Sequence, residues 1–296
     1  MSFEQVEQLT AAGIINGSFY ALVGAGFGLI LGVTGRFHYA FALVFTLAAY
    51  VTSVLEVPAG LPMPLAIVGG LLAAVALGVA TERFVYRPLA RLTIFISSLG
   101  LTIAGINLIT LAWTAFSRRS IELVPLRPLN LGAISFTSIE AILVVGSWLL
   151  ILALSGLLSF SDLGRSIRAA RGNPQLARIL GLDPDAIYLS VFALGSLLCG
   201  AAGILDGARF AVNPSMGIRP VMFAFVVAFL GGARSGPIVV GLAGLFIGLV
   251  ESLSGLFVSP QWSSLVVFSV LFIYLVLRPI DFRALRASSP PAASSP

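Results

Sequence analysis

The chain alternates between long apolar stretches and short polar connections, and the apolar stretches have the length of a bilayer crossing. A helix needs about 20 mostly apolar residues to traverse a hydrocarbon core. On that scale nine spans are predicted: Leu9–Thr34, Phe37–Leu55, Leu61–Thr81, Leu92–Ala115, Ile139–Phe160, Ala186–Ala208, Pro220–Gly231, Pro237–Phe257 and Trp262–Leu277. The seventh is short, as a broken helix would be, or begins nearer Ser215. The expected fold is all-α, a polytopic integral membrane protein with about nine (eight to ten) transmembrane helices in a single membrane domain over 1–286. The last ten residues, 287–296, contain only Ala, Ser and Pro and read as a disordered tail.

Inside the spans small residues recur at helical spacing. Gly13, Gly17, Ala21, Gly24, Gly28 and Gly32 line one face of the first span. Gly200, Gly203 and Gly207 do so in the sixth, and Gly241, Gly244 and Gly248 in the eighth. Lipid offers no hydrophobic drive for helix association, so such faces serve close backbone packing, or else line a mobile path.

Composition sharpens this picture. Of 296 residues 58% are hydrophobic and 10% charged, too few charges for a water-facing surface, where about a quarter is usual. The net charge of +5 is scattered between apolar segments, which argues against nucleic-acid binding and leaves membrane lipid as the surrounding partner. The stretch from Met1 to Gln8 has Glu4 and Glu7 but no basic residue, so the first apolar run reads as a span rather than a signal peptide. All 17 basic residues are arginine. With the N-terminus outside, Arg36, Arg83, Arg87, Arg91, Arg165, Arg168, Arg171, Arg178, Arg234, Arg278, Arg283 and Arg286 fall inside, and only Arg118, Arg119, Arg127, Arg209 and Arg219 outside. That bias satisfies the positive-inside rule, with the C-terminus in the cytoplasm.

Absences narrow the chemistry. Without lysine the chain has no Walker-type phosphate loop. One histidine, His38, and one cysteine, Cys199, rule out the usual zinc clusters and any internal disulfide. Ser235, in the glycine-rich turn Gly232-Ala-Arg-Ser-Gly236, has only His38 as a possible base, so an intramembrane protease is disfavoured against a plain turn. Catalytic residues and metal ligands are expected to be none. Glu251 is an ionisable residue within the eighth span, with a pathway or a structural role. Asp206 and Arg209, three apart, fit a local ion pair. The spans carry no acidic residue near their centres, which disfavours a proton relay.

The segment 161–185 is the most informative connection. Asn173 suits an N-cap, Pro174 the first helical position and Gly181 a C-terminal stop, which predicts a short helix over Pro174–Leu180 with Leu176, Ile179 and Leu180 on its apolar face. Asp183-Pro184 repeats the cap before the sixth span. Such a helix can press into another protein or lie as an ordinary interfacial loop. Arg165, Arg168 and Arg171 upstream can meet lipid phosphates or an acidic partner surface.

Motifs along nearly the whole chain carry a resemblance. In order they are Gly13-Ile-Ile-Asn-Gly-Ser-Phe-Tyr-Ala-Leu22, Leu31-Gly-Val-Thr-Gly35, Arg87-Pro-Leu89, Ser98-Leu-Gly-Leu-Thr102 with Asn107, and Gly164-Arg-Ser-Ile-Arg-Ala169. Then come Asn173, Ala177, Gly181-Leu182, Phe192-Ala-Leu-Gly195, Ala202-Gly203, Pro214-Ser-Met-Gly217, Gly231-Gly232 and Arg278-Pro279. Their colinear order resembles the permease subunits of branched-chain amino acid ABC importers. The resemblance implies a bacterial inner-membrane subunit that binds no cofactor itself. It implies as partners a second permease subunit, two cytoplasmic ATPase subunits that hold ATP, and a periplasmic solute-binding protein. It also implies that Gly164, Arg165, Arg168, Asn173, Ala177 and Gly181 belong to a coupling segment that fits an ATPase cleft.

Two stretches depart from the family pattern. Arg36-Phe-His-Tyr-Ala-Phe-Ala-Leu43 replaces an Asn-Phe-Ala-His-Gly-Glu type run, making a more apolar lining suited to a different or larger ligand, and Arg234 stands where the family prefers glycine. Polar residues within spans, Asn16, Ser18, Tyr20, Thr34, His38, Ser97, Ser98, Thr102 and Asn107, are candidates for a substrate path together with Glu251, or else hydrogen-bond between helices. The function expected is transport of an amino acid or related small amphipathic solute, with a self-contained carrier or channel as the alternative.

Overall fold

A computed structural model describes residues 3–89, 91–113, 121–125, 127–131 and 134–277. Arg118, Arg119, Arg278, Arg283 and Arg286, the Ala115 end of the fourth expected span, the Arg278-Pro279 motif and the tail 287–296 lie outside these residues.

Eleven α-helices are described: α1 (Phe3–Thr34), α2 (Phe41–Glu56), α3 (Met63–Ala80), α4 (Arg91–Trp113), α5 (Ser138–Phe160), α6 (Asp162–Gly172), α7 (Pro174–Ile179), α8 (Pro184–Arg209), α9 (Ile218–Leu230), α10 (Pro237–Ser254) and α11 (Ser263–Leu277). Among the described residues six are long and apolar enough to cross a membrane: α1, α3 with its continuation to Tyr86, α4, α5, α8 and α10. The other three expected spans are the shorter apolar helices α2, α9 and α11.

The glycine faces explain the packing. Helix α1 is the central post, with α10, α9, α8 and α5 around it, while α2 and α3 pack on α8. A Cβ built on Gly17 would stand 2.8 Å from the Leu245 Cα, and one on Gly244 would stand 2.5 Å from the Ala21 Cα. One on Gly248 would collide with the Gly17 backbone. Thus α1 and α10 touch backbone to backbone, which gives dispersion contact where lipid supplies no other drive. The stripe is not uniform: a Cβ on Gly28 would meet only side chains at ordinary contact distance, 3.6 Å from the Ala228 Cβ. Gly244→Ala is therefore expected to destabilise the purified protein by roughly 1–3 kcal/mol through overpacking, with Gly28→Ala neutral or stabilising. Thermal unfolding of both variants in detergent checks this; equal stability would show that the contact yields.

The second expected span starts late. Gly35 adopts φ 65° and ends α1, and the chain stays non-helical through residue 40 before α2 begins at Phe41. Phe37 and Tyr39 are aromatic like the helix that follows, so the span boundary could not be set to the residue from hydropathy. A turn of π-helix over Thr81–Tyr86 extends α3 and brings buried Glu82 to Arg36 at 2.5 Å and the Tyr86 hydroxyl to His38 Nδ1 at 2.6 Å. An antiparallel hairpin, β1 (Pro128–Leu131) with β2 (Ile134–Thr137), is a small addition to the helical expectation. The Gln8 side chain ties it to α1 by accepting from the Ser135 N–H at 2.9 Å and donating to its carbonyl at 2.8 Å.

These contacts sort the described arginines. Arg36, Arg83, Arg87, Arg165, Arg168, Arg171, Arg178 and Arg234 lie at the end of the bundle where α1 finishes. Arg127, Arg209 and Arg219 lie at the end where α1 and the hairpin begin.

Candidate functional site

At the arginine-poor end a cavity of about 370 Å³ opens between α1, α8, α9 and α10. Asn16, Phe19, Tyr20, Asp206, Arg209, Phe210, Met216, Arg219, Pro220 and Glu251 are among its walls. Its lining on α1 runs from Asn16 to Tyr20, and Tyr20 lies roughly 25 Å from the start of that helix, near its middle.

Two charge networks build the polar wall. Glu251 on α10 is 7% exposed, and its carboxylate accepts from the Tyr20 hydroxyl at 2.7 Å and from Arg219 at 2.8 Å. The Tyr20 ring stacks on Phe223 at 4.5 Å, and the Arg219 guanidinium lies 5.5 Å from the centre of that ring. Helices α1, α9 and α10 thereby fix one carboxylate deep in the site while the Arg219 side chain remains 66% exposed and able to reorient. Arg209, 11% exposed, donates to Glu140 at 3.1 Å and to the Asn16 side-chain carbonyl at 3.3 Å. Glu140 is also held by the N-cap of α5, accepting from the Thr137 N–H at 2.8 Å and its hydroxyl at 2.9 Å.

The local Asp206–Arg209 pair expected from spacing is not formed. Arg209 turns instead to Glu140, 69 residues away, because α5 starts beside the end of α8. Asp206 lines the cavity without an ion pair among the described residues. Counting Glu140 behind the wall with the lining residues, three carboxylates face Arg209 and Arg219, a local excess of one negative charge. The site therefore offers a carboxylate for a cation, an exposed guanidinium for an anion, and apolar surface from Phe19, Phe210, Met216 and Pro220. That is the chemistry of a zwitterion with an apolar side chain.

Of the ten path candidates, Asn16, Tyr20 and Glu251 meet here. Ser18 is buried nearby and accepts from the Trp148 indole N–H at 3.1 Å, joining α1 to α5. Thr34 donates to the Ile30 carbonyl at 2.7 Å and accepts from the Arg36 N–H at 3.1 Å, closing the end of α1. His38 is fully enclosed by Phe41, Tyr86 and Phe192, and Ser98 accepts from the Tyr39 N–H at 3.3 Å. Thr102 donates to the Ser98 carbonyl at 2.8 Å, Ser97 is half-buried on α4, and exposed Asn107 donates to the Ile103 carbonyl at 2.8 Å. The ten do not form one track. His38 is fully buried, and its Nε2 makes no hydrogen bond to Ser235.

The arginine-rich end carries the second feature. Asn173 Oδ1 accepts from the Gln175 and Leu176 N–H groups, both at 3.0 Å, to start α7. Gly181, at φ 84°, ends the turn after it, and Asp183 caps α8 by accepting from the Asp185 N–H at 3.0 Å. Ala177 is 2% exposed and turned inward, while Leu176, Ile179 and Leu180 are 51%, 81% and 70% exposed. Asp185 ties the unit to the bundle through Arg87 at 2.7 Å and Arg178 at 3.8 Å. Helix α6, absent from the sequence expectation, seats α7: Gly164, Ile167 and Ala170 are buried at three-residue spacing, and a Cβ on Gly164 would strike the Leu158 backbone. Arg165 pairs with Asp162, and Arg168 donates to the Leu158 carbonyl. The missed signal was Ser161, whose hydroxyl caps α6 by accepting from the Gly164 N–H at 3.0 Å.

This architecture has relatives. The chain is 30% identical over 287 residues to the high-affinity branched-chain amino acid transport system permease protein LivH of Escherichia coli (strain K12), covering 90% of this chain and 92% of that one. It is 28% identical over 283 residues to the permease protein BraD of the corresponding system of Pseudomonas aeruginosa, with the same coverage. The solved structure of PsaBC from Streptococcus pneumoniae in complex with Fab shares the fold, with a TM-score of 0.51, 15% identity and 94% of each chain covered. The family described as branched-chain amino acid transport system / permease component matches residues 9–276, and the chain belongs to that family.

Proposed function

We propose that this chain is the membrane permease subunit of an ATP-driven importer for amino acids with apolar side chains, and that the cavity at Tyr20, Asp206, Arg219 and Glu251 is a station on the solute's path. The observation that carries the reading is the cavity's combination of opposite charges with apolar side chains, in a chain of this family. The protein moves a solute rather than transforming it. Energy has to come from outside the chain, since its sequence has no lysine for a Walker loop.

In this reading nine crossings run from a periplasmic N-terminus to a cytoplasmic C-terminus in the bacterial inner membrane. The cavity faces the periplasmic solute-binding protein, and the exposed apolar face of α7 faces one of two ATPase subunits, beside a second permease subunit. Arginine placement supports this orientation, because the crowded end is retained in the cytoplasm. Asn173 and Gly181 shape α7, Gly164 and Ala177 seat it, and Leu176, Ile179 and Leu180 make the contact. Force on α7 reaches the bundle through Asp185 and Arg87.

Reconstitution in liposomes with the two ATPases, the second permease and the binding protein is expected to give leucine uptake that requires ATP. Equal uptake by the chain alone, without ATP or ATPases, would establish a self-contained carrier or channel instead.

A further inference from the structure

Arg171, half-buried, lies on α6 at the arginine-rich end. Burial first, and the like charge of Arg234 second, hold its pKa below the usual arginine value. Its Nη2 is enclosed and has no hydrogen-bond partner, and neither Arg171 nor Arg234 forms an ion pair among the described residues. A bound anion would satisfy the enclosed Arg171 donor and offset the like charge of Arg234 beside it.

Two cavities meet at Arg171. One, about 330 Å³, is shared with Thr34 and Arg234. The other, about 230 Å³, has a divided wall. Arg168, Ser155, Ser159 and Ser235 give it a polar rim, and Ala25, Leu29, Leu158 and Val240 line its depth. The neighbouring outer faces of α5 and α10 are apolar and exposed, with Leu152 at 51%, Phe160 at 86%, Val239 at 50% and Leu242 at 54%. In a membrane protein such faces meet acyl chains, so the crevice is continuous with lipid on its apolar side and basic at its rim.

We propose that this crevice is a binding site for an anionic phospholipid, with the headgroup phosphate on Arg171 and Arg234 and an acyl chain against α5 and α10. A guanidinium suits a phosphate because its planar donors bind two oxygens at once. The site stabilises the seat of α6 beneath α7. It rests on the membrane setting alone, so failure of the importer reading leaves it untouched.

The test uses the full chain purified in detergent, with native mass spectrometry and thermal unfolding during titration with phosphatidylglycerol. Phosphatidylcholine of the same chain length and inorganic phosphate are the comparison arms. Wild type is expected to retain phosphatidylglycerol and to unfold at higher temperature with it, with little response to the other two. Arg171→Gln/Arg234→Gln is expected to bind about tenfold more weakly or worse, with Arg83→Gln, an exposed arginine outside the crevice, unchanged. Arg234→Gln alone lies in an exposed loop and carries the test if the double variant fails to fold. Equal phosphatidylglycerol retention by the variants would overturn the proposal. So would an equal response to inorganic phosphate, which marks a free-phosphate site.

Discussion

Ile179→Asp is expected to leave the chain inserted and folded while abolishing ATP-driven uptake. Ile179 is 81% exposed, so no core contact is lost, and surface changes of this kind cost at most about 0.5 kcal/mol of stability. In a docked complex the same side chain would be covered. An aspartate there becomes an unpaired buried charge, costing about 3–5 kcal/mol, or more than a hundredfold in association. Arg178, the neighbouring cation, is already near Asp185 and offers little relief. The measurements are thermal stability of the isolated chain, co-purification of the ATPase subunits, and uptake. Normal co-purification and uptake would take α7 out of the mechanism.

Glu251→Gln is the second large effect, and it acts at the other end. The amide keeps the shape of the carboxylate and an oxygen for the Tyr20 hydroxyl, so stability should fall by only about 1 kcal/mol. Arg219, 66% exposed, can turn to water when its partner loses charge. The cavity nevertheless changes by one unit: the local excess negative charge disappears, leaving Asp206 balanced by a freed Arg219. Attraction for a solute ammonium weakens, and the expected result is a rise of about tenfold in the solute concentration for half-maximal uptake. Uptake assays paired with thermal unfolding check this. Unchanged transport in a stable variant would make the Glu251–Tyr20–Arg219 network structural.

Much of the fold was legible because lipid simplifies the problem. In hydrocarbon every backbone polar group must be satisfied within its own helix, so a long apolar run has one outcome. The ends of α5 and α8 follow the expected spans within two residues for that reason. The caps around α7 were equally local: Asn173, Pro174, Gly181 and Asp183-Pro184 each act within a few residues of themselves. Where the helix type changed, as in the π turn at Thr81–Tyr86, or a helix started late, as after residues 35–40, the polar residues marked a boundary but not the backbone conformation there. Helix α6 was obscured because only Gly164, Ile167 and Ala170 are buried, interleaved with Arg165, Arg168 and Arg171, so the segment reads as a polar connection.

The candidate site divides in the same way. Glu251, Tyr20 and Asn16 stood out singly, as polar or ionisable residues inside apolar spans. Their joining with Arg219, and the diversion of Arg209 from Asp206 to Glu140, depend on which helix ends lie together. Spacing along one helix cannot supply that. By itself the sequence determined the membrane class, the approximate spans, the asymmetric arginine distribution and a capped helix, expected over 174–180 and found over 174–179, because each follows from local hydropathy, charge or hydrogen bonding. Only the tertiary structure decided which glycines touch backbone, which carboxylate each arginine takes and where a charged cavity opens, because those depend on how α1 meets α5, α8, α9 and α10 in space.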